Sequence, residues 1–294
     1  MYDEILVPTD GSDTARTASS TAITLAKRHD ARLHVVHAVE LIDLPVGDAR
    51  LEHEIVQHGN QLVNDVDEQA RASGLETRLA VLEKTQPVHE LLLDYVHDHG
   101  VDLVVMGTRG RTGVHRLFLG SVTERMVGRS NAPVLTVHEE TTVQDPFDSI
   151  LVPYDSSEGA RAAAAHAIDL ARDVGATVHF CHVIDQSILA GEYTDGTVLD
   201  TLRRVNREAL QEASSKAEEA GAIPGETTVT VGVPHRKIVE YAAEIEVDCL
   251  VMGTHGRSGV GQKLLGSVTE RVIRMATGPV LTVGKHPVET SDSE

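Results

Sequence analysis

The chain repeats its own architecture. Ile5-Leu-Val-Pro-Thr-Asp10 returns as Ile150-Leu-Val-Pro-Tyr-Asp155, Gly120-Ser-Val-Thr-Glu-Arg125 as Gly266 through Arg271, and Pro133-Val-Leu-Thr-Val137 as Pro279 through Val283. The offset is 145 residues in the early segments and 146 in the late ones. A period that long marks a duplicated domain, since solenoid units repeat every ~20–50 residues. With 294 residues in all, each half is large enough to hold its own core. The division is a first domain over 1–140, a linker at 141–147 overlapping the polar stretch from His138 to Pro146, and a second domain over 148–294 that ends in a short polar tail.

Within each half, β-branched apolar runs alternate with longer helical patterns, which is the signature of βα units around a parallel sheet. In the first half the runs predict strands near residues 4–9, 32–38, 77–83, 102–107 and 133–138. Helices fill the intervals, the clearest being Asp13–His29 and Gln86–Asp98. Leu103-Val-Val-Met106 is apolar at every position, so both faces of that strand are expected to be covered. The fold class is therefore α/β, two tandem Rossmann-like domains, each a five-stranded parallel doubly wound sheet. Ligands are expected beyond the carboxyl ends of the strands, where strand order reverses. The halves differ most after their second strands, at Glu40–His53 and Asp185–Leu199, which read as variable surface loops or lids.

After its fourth strand each half carries the same loop: Gly, two residues, Gly, nine residues, Gly-Ser. Gly107, Gly110, Gly120 and Ser121 form one copy; Gly253, Gly256, Gly266 and Ser267 form the other. Glycines let backbone N–H groups approach an anion, and a helix start aims its positive dipole end at the same point. Neither common phosphate fingerprint is complete. Gly256 through Lys263 approaches a P-loop but has Gln262 in the lysine place, and no G-x-G-x-x-G follows the first strand of either half. The competing reading is that Ser121-Val-Thr-Glu124 and Ser267-Val-Thr-Glu270 are capping boxes, each cap worth about 1 kcal/mol. A cap alone does not require the upstream glycines. Asp10 alone reads equally as a turn residue.

The net charge of −19, from 45 acidic and 26 basic residues, argues against general nucleic-acid binding. It reads either as a solvated acidic surface or as adaptation to a salt-rich, halophilic cytoplasm. No apolar run has membrane length and Met1 leads directly into a strand, so a cytoplasmic protein is expected, with no membrane partner. Cys181 and Cys249 lie in strand patterns where the first half has Val36 and Leu103, and they read as small buried hydrophobes. The 16 histidines are scattered, with no zinc-site spacing, and no protein metal ligand is assigned. His37 and His182 recur within strands and read as packed or strand-end residues rather than catalysts.

The I-L-V-P-x-D opening together with the G-x2-G-x9-G-[ST] loop, in both halves, resembles the ATP-binding branch of the universal stress protein family, whose fold is of the adenine nucleotide alpha hydrolase type. The resemblance covers nearly the whole chain. It implies that Asp10 and Ala38, and Asp155 and Val183, contact the nucleoside. It implies that the loop glycines with Ser121, Val122 and Thr123, and with Ser267, Val268 and Thr269, hold the phosphates. Flanking contacts then fall to Pro8, Thr9 and Met106, and to Pro153, Tyr154 and Met252. Mg2+ would sit on the phosphates of the bound ATP. Arg109 and Arg111, and in the second copy Arg257, can offset triphosphate charge. His255 replaces Arg109, which makes the second site less positive near neutral pH. A carboxylate at Asp10 suits ribose hydroxyls and repels phosphate, so it belongs at the nucleoside end.

The function expected from the resemblance is a nucleotide-dependent stress-response module with an unknown regulatory protein partner. A scaffold of the same fold that binds no nucleotide and a slow ATP hydrolase are the alternatives. No nucleophile–base pair or activated Cys or Ser is legible, so no catalytic residue is assigned. Family members commonly dimerise through the last strand, which makes residues 133–137 and 279–283 candidates for an internal pseudo-dimer, with a homodimer of chains left open.

Overall fold

The computed structural model describes residues 1–40, 49–84, 86–110, 119–144, 147–187, 196–256 and 265–284. The first half runs β1 (Glu4–Pro8), α1 (Asp13–His29), β2 (Arg32–Glu40), α2 (Ala49–Ala72), β3 (Thr77–Lys84), α3 (Val88–Asp98), β4 (Leu103–Gly107), α4 (Ser121–Arg129) and β5 (Val134–Val137). The second half repeats it as β6 (Ser149–Pro153), α5 (Glu158–Val174), β7 (Thr177–Asp185), α6 (Gly196–Glu219), β8 (Ile223–Gly232), α7 (Pro234–Glu244), β9 (Cys249–Gly253), α8 (Ser267–Met275) and β10 (Val280–Val283). Among the described residues no helix is long and apolar enough to cross a membrane.

All ten strands form one sheet in the order β3-β2-β1-β4-β5-β10-β9-β6-β7-β8. Pairing is parallel within each half, and strand order reverses between β1 and β4 and between β6 and β9. The central seam is antiparallel, with Leu281 opposite Leu135. Thr136 Oγ1 donates to Val280 O at 3.1 Å and Thr282 Oγ1 to Val134 O at 3.0 Å, so the seam is nearly two-fold symmetric. Pairing the short β5 and β10 with each other covers two edges that would otherwise expose unpaired backbone.

Every residue of β4 is buried, as its apolar run predicts. Alternation then sorts the core into two layers. Ile5, Val7, Leu103 and Val105 face one side, with Ala18, Ala22 and Ala26 of α1 and Val63 and Val66 of α2. Leu6, Val104 and Met106 face the other, with Leu92 and Tyr95 of α3 and Met126 of α4. Both layers continue across the seam into second-half residues, Val152 and Leu281 on one side and Leu250 and Val280 on the other. The alanines at four-residue spacing keep α1 thin on its inner face, which brings its first turn close to the end of β4.

Helix entry is built alike in both halves. Ser12 caps α1 by accepting from Ala15 N, and Ser157 caps α5 by accepting from Ala160 N. The described part of the linker, residues 141–144 and Phe147, is held more firmly than its composition suggests. Thr141 is buried and its hydroxyl accepts from His138 N at 2.9 Å, while Phe147 is buried in the core layer that holds Leu135. A lone aromatic at the end of a polar run carries no periodicity, so its burial was not legible.

Candidate functional site

The second half encloses a cleft of about 400 Å³ at the carboxyl ends of β6, β7 and β9, where strand order reverses. Pro153, Tyr154, Asp155, Val183, Met252, Gly253, His255, Gly256, Gly266, Ser267, Val268 and Thr269 all line it. Residues that lie up to 116 positions apart in sequence thus share one wall-to-wall space. Arg257 lies outside the described residues, as do Arg111 and the spans 41–48 and 188–195 that make up most of the variable segments after the second strands.

Each glycine in this cleft is explained by what a side chain would strike. A Cβ on Gly253 would sit 2.5 Å from the backbone carbon of Gly159, and one on Gly266 would sit 3.0 Å from Thr254 O. Gly256 lies against Asp155, whose Oδ2 would be 3.2 Å from an added Cβ. The other carboxylate oxygen, Asp155 Oδ1, accepts from Ser157 N at 2.9 Å. Asp10 does the same for Ser12 N at 3.0 Å, and its Oδ2 faces Gly110. Each Asp is therefore a turn residue and a wall of the loop at once.

The serines are not caps. Gly120 and Gly266 are the N-cap residues of α4 and α8, neither helix has a side-chain cap, and Ser121 and Ser267 are exposed first-turn residues. The capping-box reading fails because each helix begins one residue earlier than S-x-x-E requires. Gly120 N donates to Thr108 O and Gly266 N to Thr254 O, both at 2.8 Å, and this bond sets the entry. The first N–H groups of a helix have no intrahelical acceptor. The hydroxyls of Thr123 and Thr269 donate to Gly107 O at 2.8 Å and Gly253 O at 2.9 Å, which fastens each helix to its preceding strand.

In the first half the corresponding residues occupy equivalent register positions: Pro8 pairs with Val36 as Pro153 pairs with Cys181, and Ala38 lies two residues further along β2. Arg109 and Gly110 border a polar cleft of about 400 Å³ with Ser12, Thr14, Arg16 and Glu139. Pro8, Thr9, Asp10, Ala38 and Met106 line neither of these two clefts among the described residues. Thr14 Oγ1 donates to Arg109 O; its second-half counterpart is Gly159, which lets His255 O approach the helix directly.

His255 does more than remove an arginine. Its Nδ1 lies 2.9 Å from Thr254 Oγ1, the place that His138 Nδ1 takes on Thr108 Oγ1, also at 2.9 Å. With the Thr254 hydroxyl donating, the ring proton is on Nε2, a buried atom with no hydrogen-bond partner among the described residues. His37 and His182 are strand-end braces: Nδ1 of each lies 2.7 Å from the carbonyl of Thr9 or Tyr154 and ties the second strand to the turn before the Asp.

Several lining residues were missed from sequence. Leu202 and Asn206, four apart on α6, and Pro234 and Ile238, on the first turns of α7, close the cleft from the sides. Their helical spacing identifies a buried face and says nothing of which cavity it meets. Cys181 also borders the cleft, and burial pushes its thiol, like that of Cys249, up to about 12. Both thiols are expected to resist maleimide in the native protein near pH 8 and to react once unfolded. Native-state labelling at the unfolded rate would contradict this burial.

The sequence profile of the Universal stress protein family matches residues 1–138 and again residues 146–284. The chain belongs to the universal stress protein family. One universal stress protein of Methanocaldococcus jannaschii is 39% identical over 142 residues, 47% of this chain and 83% of the relative. Another, from Mycolicibacterium smegmatis, is 27% identical over 292 residues and spans 95% of this chain and 96% of its own length, so the tandem arrangement is shared. The crystal structure of a universal stress protein from Archaeoglobus fulgidus has a TM-score of 0.72 at 23% identity and covers 97% of both chains, a likeness of fold.

Proposed function

We propose that this universal stress protein binds ATP, one molecule in each half, and that occupancy of the two sites is the signal it passes on in a stress response. The observation that carries the reading is the polarity of the second-half cleft. A helix capped only by Gly266 opens its first-turn N–H groups onto the space, and the Asp155 carboxylate, lying against Gly256, lines the same space. N–H groups at a helix start suit phosphate oxygens, and a carboxylate suits ribose hydroxyls. Val183, Ile184, Ile238 and Met252 supply an apolar flank for a base, and about 400 Å³ is within the range of small-molecule sites. The buried Nε2 of His255 is a donor that an anion would satisfy. In this reading a divalent ion is held through the phosphate oxygens of the bound ATP.

The test is to acid-extract the purified protein and quantify nucleotide per chain by chromatography. Two ATP per chain are expected, and Asp155→Ala should lower affinity in its half by about tenfold, the scale of one lost charge-assisted hydrogen bond. No extracted nucleotide, together with no heat on titration with Mg-ATP, would overturn the reading.

A further inference from the structure

We infer that His138 couples the two nucleotide sites, making occupancy of one half change the affinity of the other. The inference rests on the nucleotide reading above. His138 follows β5, and its ring spans the two halves: Nδ1 lies 2.9 Å from Thr108 Oγ1, and Nε2 lies 2.7 Å from Ile273 O in α8. A carbonyl only accepts, so Nε2 carries the proton, and in the neutral ring Nδ1 accepts from the threonine hydroxyl.

Both ends of this bridge reach a candidate phosphate site. Thr108 belongs to the first loop, and its carbonyl accepts from Gly120 N, the residue that opens α4. Ile273 lies in the last turn of α8, where carbonyls lack intrahelical partners, so the His138 N–H completes the C-terminus of the helix whose N-terminus opens on the second cleft. At nine residues α8 is about two and a half turns long, so its two ends are joined by one continuous run of backbone hydrogen bonds. A shift of α8 on filling the second cleft therefore strains or relieves the His138 bond and, through Thr108, the Gly120 entry of the first site.

Among the described residues the bridge exists on one side only. The residue equivalent to His138 is Gly284, and a Cβ there would lie 3.1 Å from Ser130 O, at the end of α4. The Thr254 hydroxyl is met instead by His255 from its own loop. Duplication thus left one histidine bridge between a loop of one half and a helix of the other, and one local substitute. A single tie is sufficient, since coupling between two binding equilibria is reciprocal whichever side carries the contact.

The test uses the full chain and Mg-ATP. Ala38→Trp fills the first nucleoside position and Val183→Trp the second, and calorimetry of each filled chain gives the dissociation constant of the remaining site. The product of these constants is compared with the product of the two constants of the unfilled chain. A ratio of about fivefold or more from unity, the lower range of allosteric coupling, is expected with His138 in place. His138→Asn keeps an acceptor near Thr108 and loses the reach to Ile273; His138→Gln retains the donor toward Ile273 and loses the acceptor near Thr108. Both are expected to bring the ratio to one while ATP still binds both sites. A ratio of one in the parent chain, or an unchanged ratio in both variants, overturns the coupling and leaves ATP binding standing. Absence of ATP binding in the parent overturns the nucleotide reading itself. Should a filled chain not fold, the ATP-induced change in hydrogen exchange along α8 is compared between the parent and His138→Asn, and equal changes overturn the proposal.

Discussion

Gly253→Ala is expected to destabilise the protein by about 3 kcal/mol or more, the upper range for forcing an atom into a packed interior. An added Cβ would lie 2.5 Å from the backbone carbon of Gly159 and 2.6 Å from its carbonyl oxygen. Both obstacles are main chain in the first turn of α5, so no rotamer change relieves them. Relief requires α5 to move off β9, and α5 carries the Ala163, Ala167 and Ala171 face of the core. It also carries the Ser157 cap that is tied to Asp155. Loss of stability and loss of the cleft should therefore coincide. Gly196→Ala is the control, because a Cβ there meets nothing within 4 Å; a surface change of this kind stays within about 0.5 kcal/mol. Urea unfolding of the two variants decides the matter, and equal midpoints would refute the close approach.

Leu135→Ala and Leu281→Ala should each cost about 2–5 kcal/mol, the range for emptying a buried leucine position. Each is 2% exposed, and they lie opposite one another at the antiparallel seam. Because they border the same space, the double variant should cost less than the sum of the singles. Chemical denaturation of the three variants measures this. Strictly additive losses would mean that the two side chains empty separate cavities. The seam has consequences for cooperativity as well, since both core layers run through it, and the halves are expected to unfold in one transition.

Much of this protein was legible before any coordinates. The β-branched runs located the strands because a buried parallel strand must be apolar on both faces, and β4 is buried throughout. The loop glycines and the Asp residues were legible because their spacing serves backbone geometry, which sequence records directly. The helix entries were not. Whether Ser121 or Gly120 caps α4 turns on one backbone bond, Gly120 N to Thr108 O, and S-x-x-E spacing permits either start. Nor was it legible that the hydroxyls of Thr123 and Thr269 fasten each helix to its preceding strand. The contributions of Leu202, Asn206, Pro234 and Ile238 depend on how α6 and α7 lie across the strand ends, and helical periodicity carries no such information.

The sequence by itself determined that the chain is two copies of one α/β unit with the same glycine-spaced loop in each, because period, apolar runs and glycine spacing are local properties of the chain. Only the tertiary structure decided the order of the strands, the fusion of both sheets through Leu135 and Leu281, and the reach of His138 from one half to α8 of the other. Hydrogen bonds act over about 3 Å. Which residues come that close across more than a hundred positions is set by register and helix placement, and those are fixed only when the whole core packs at once.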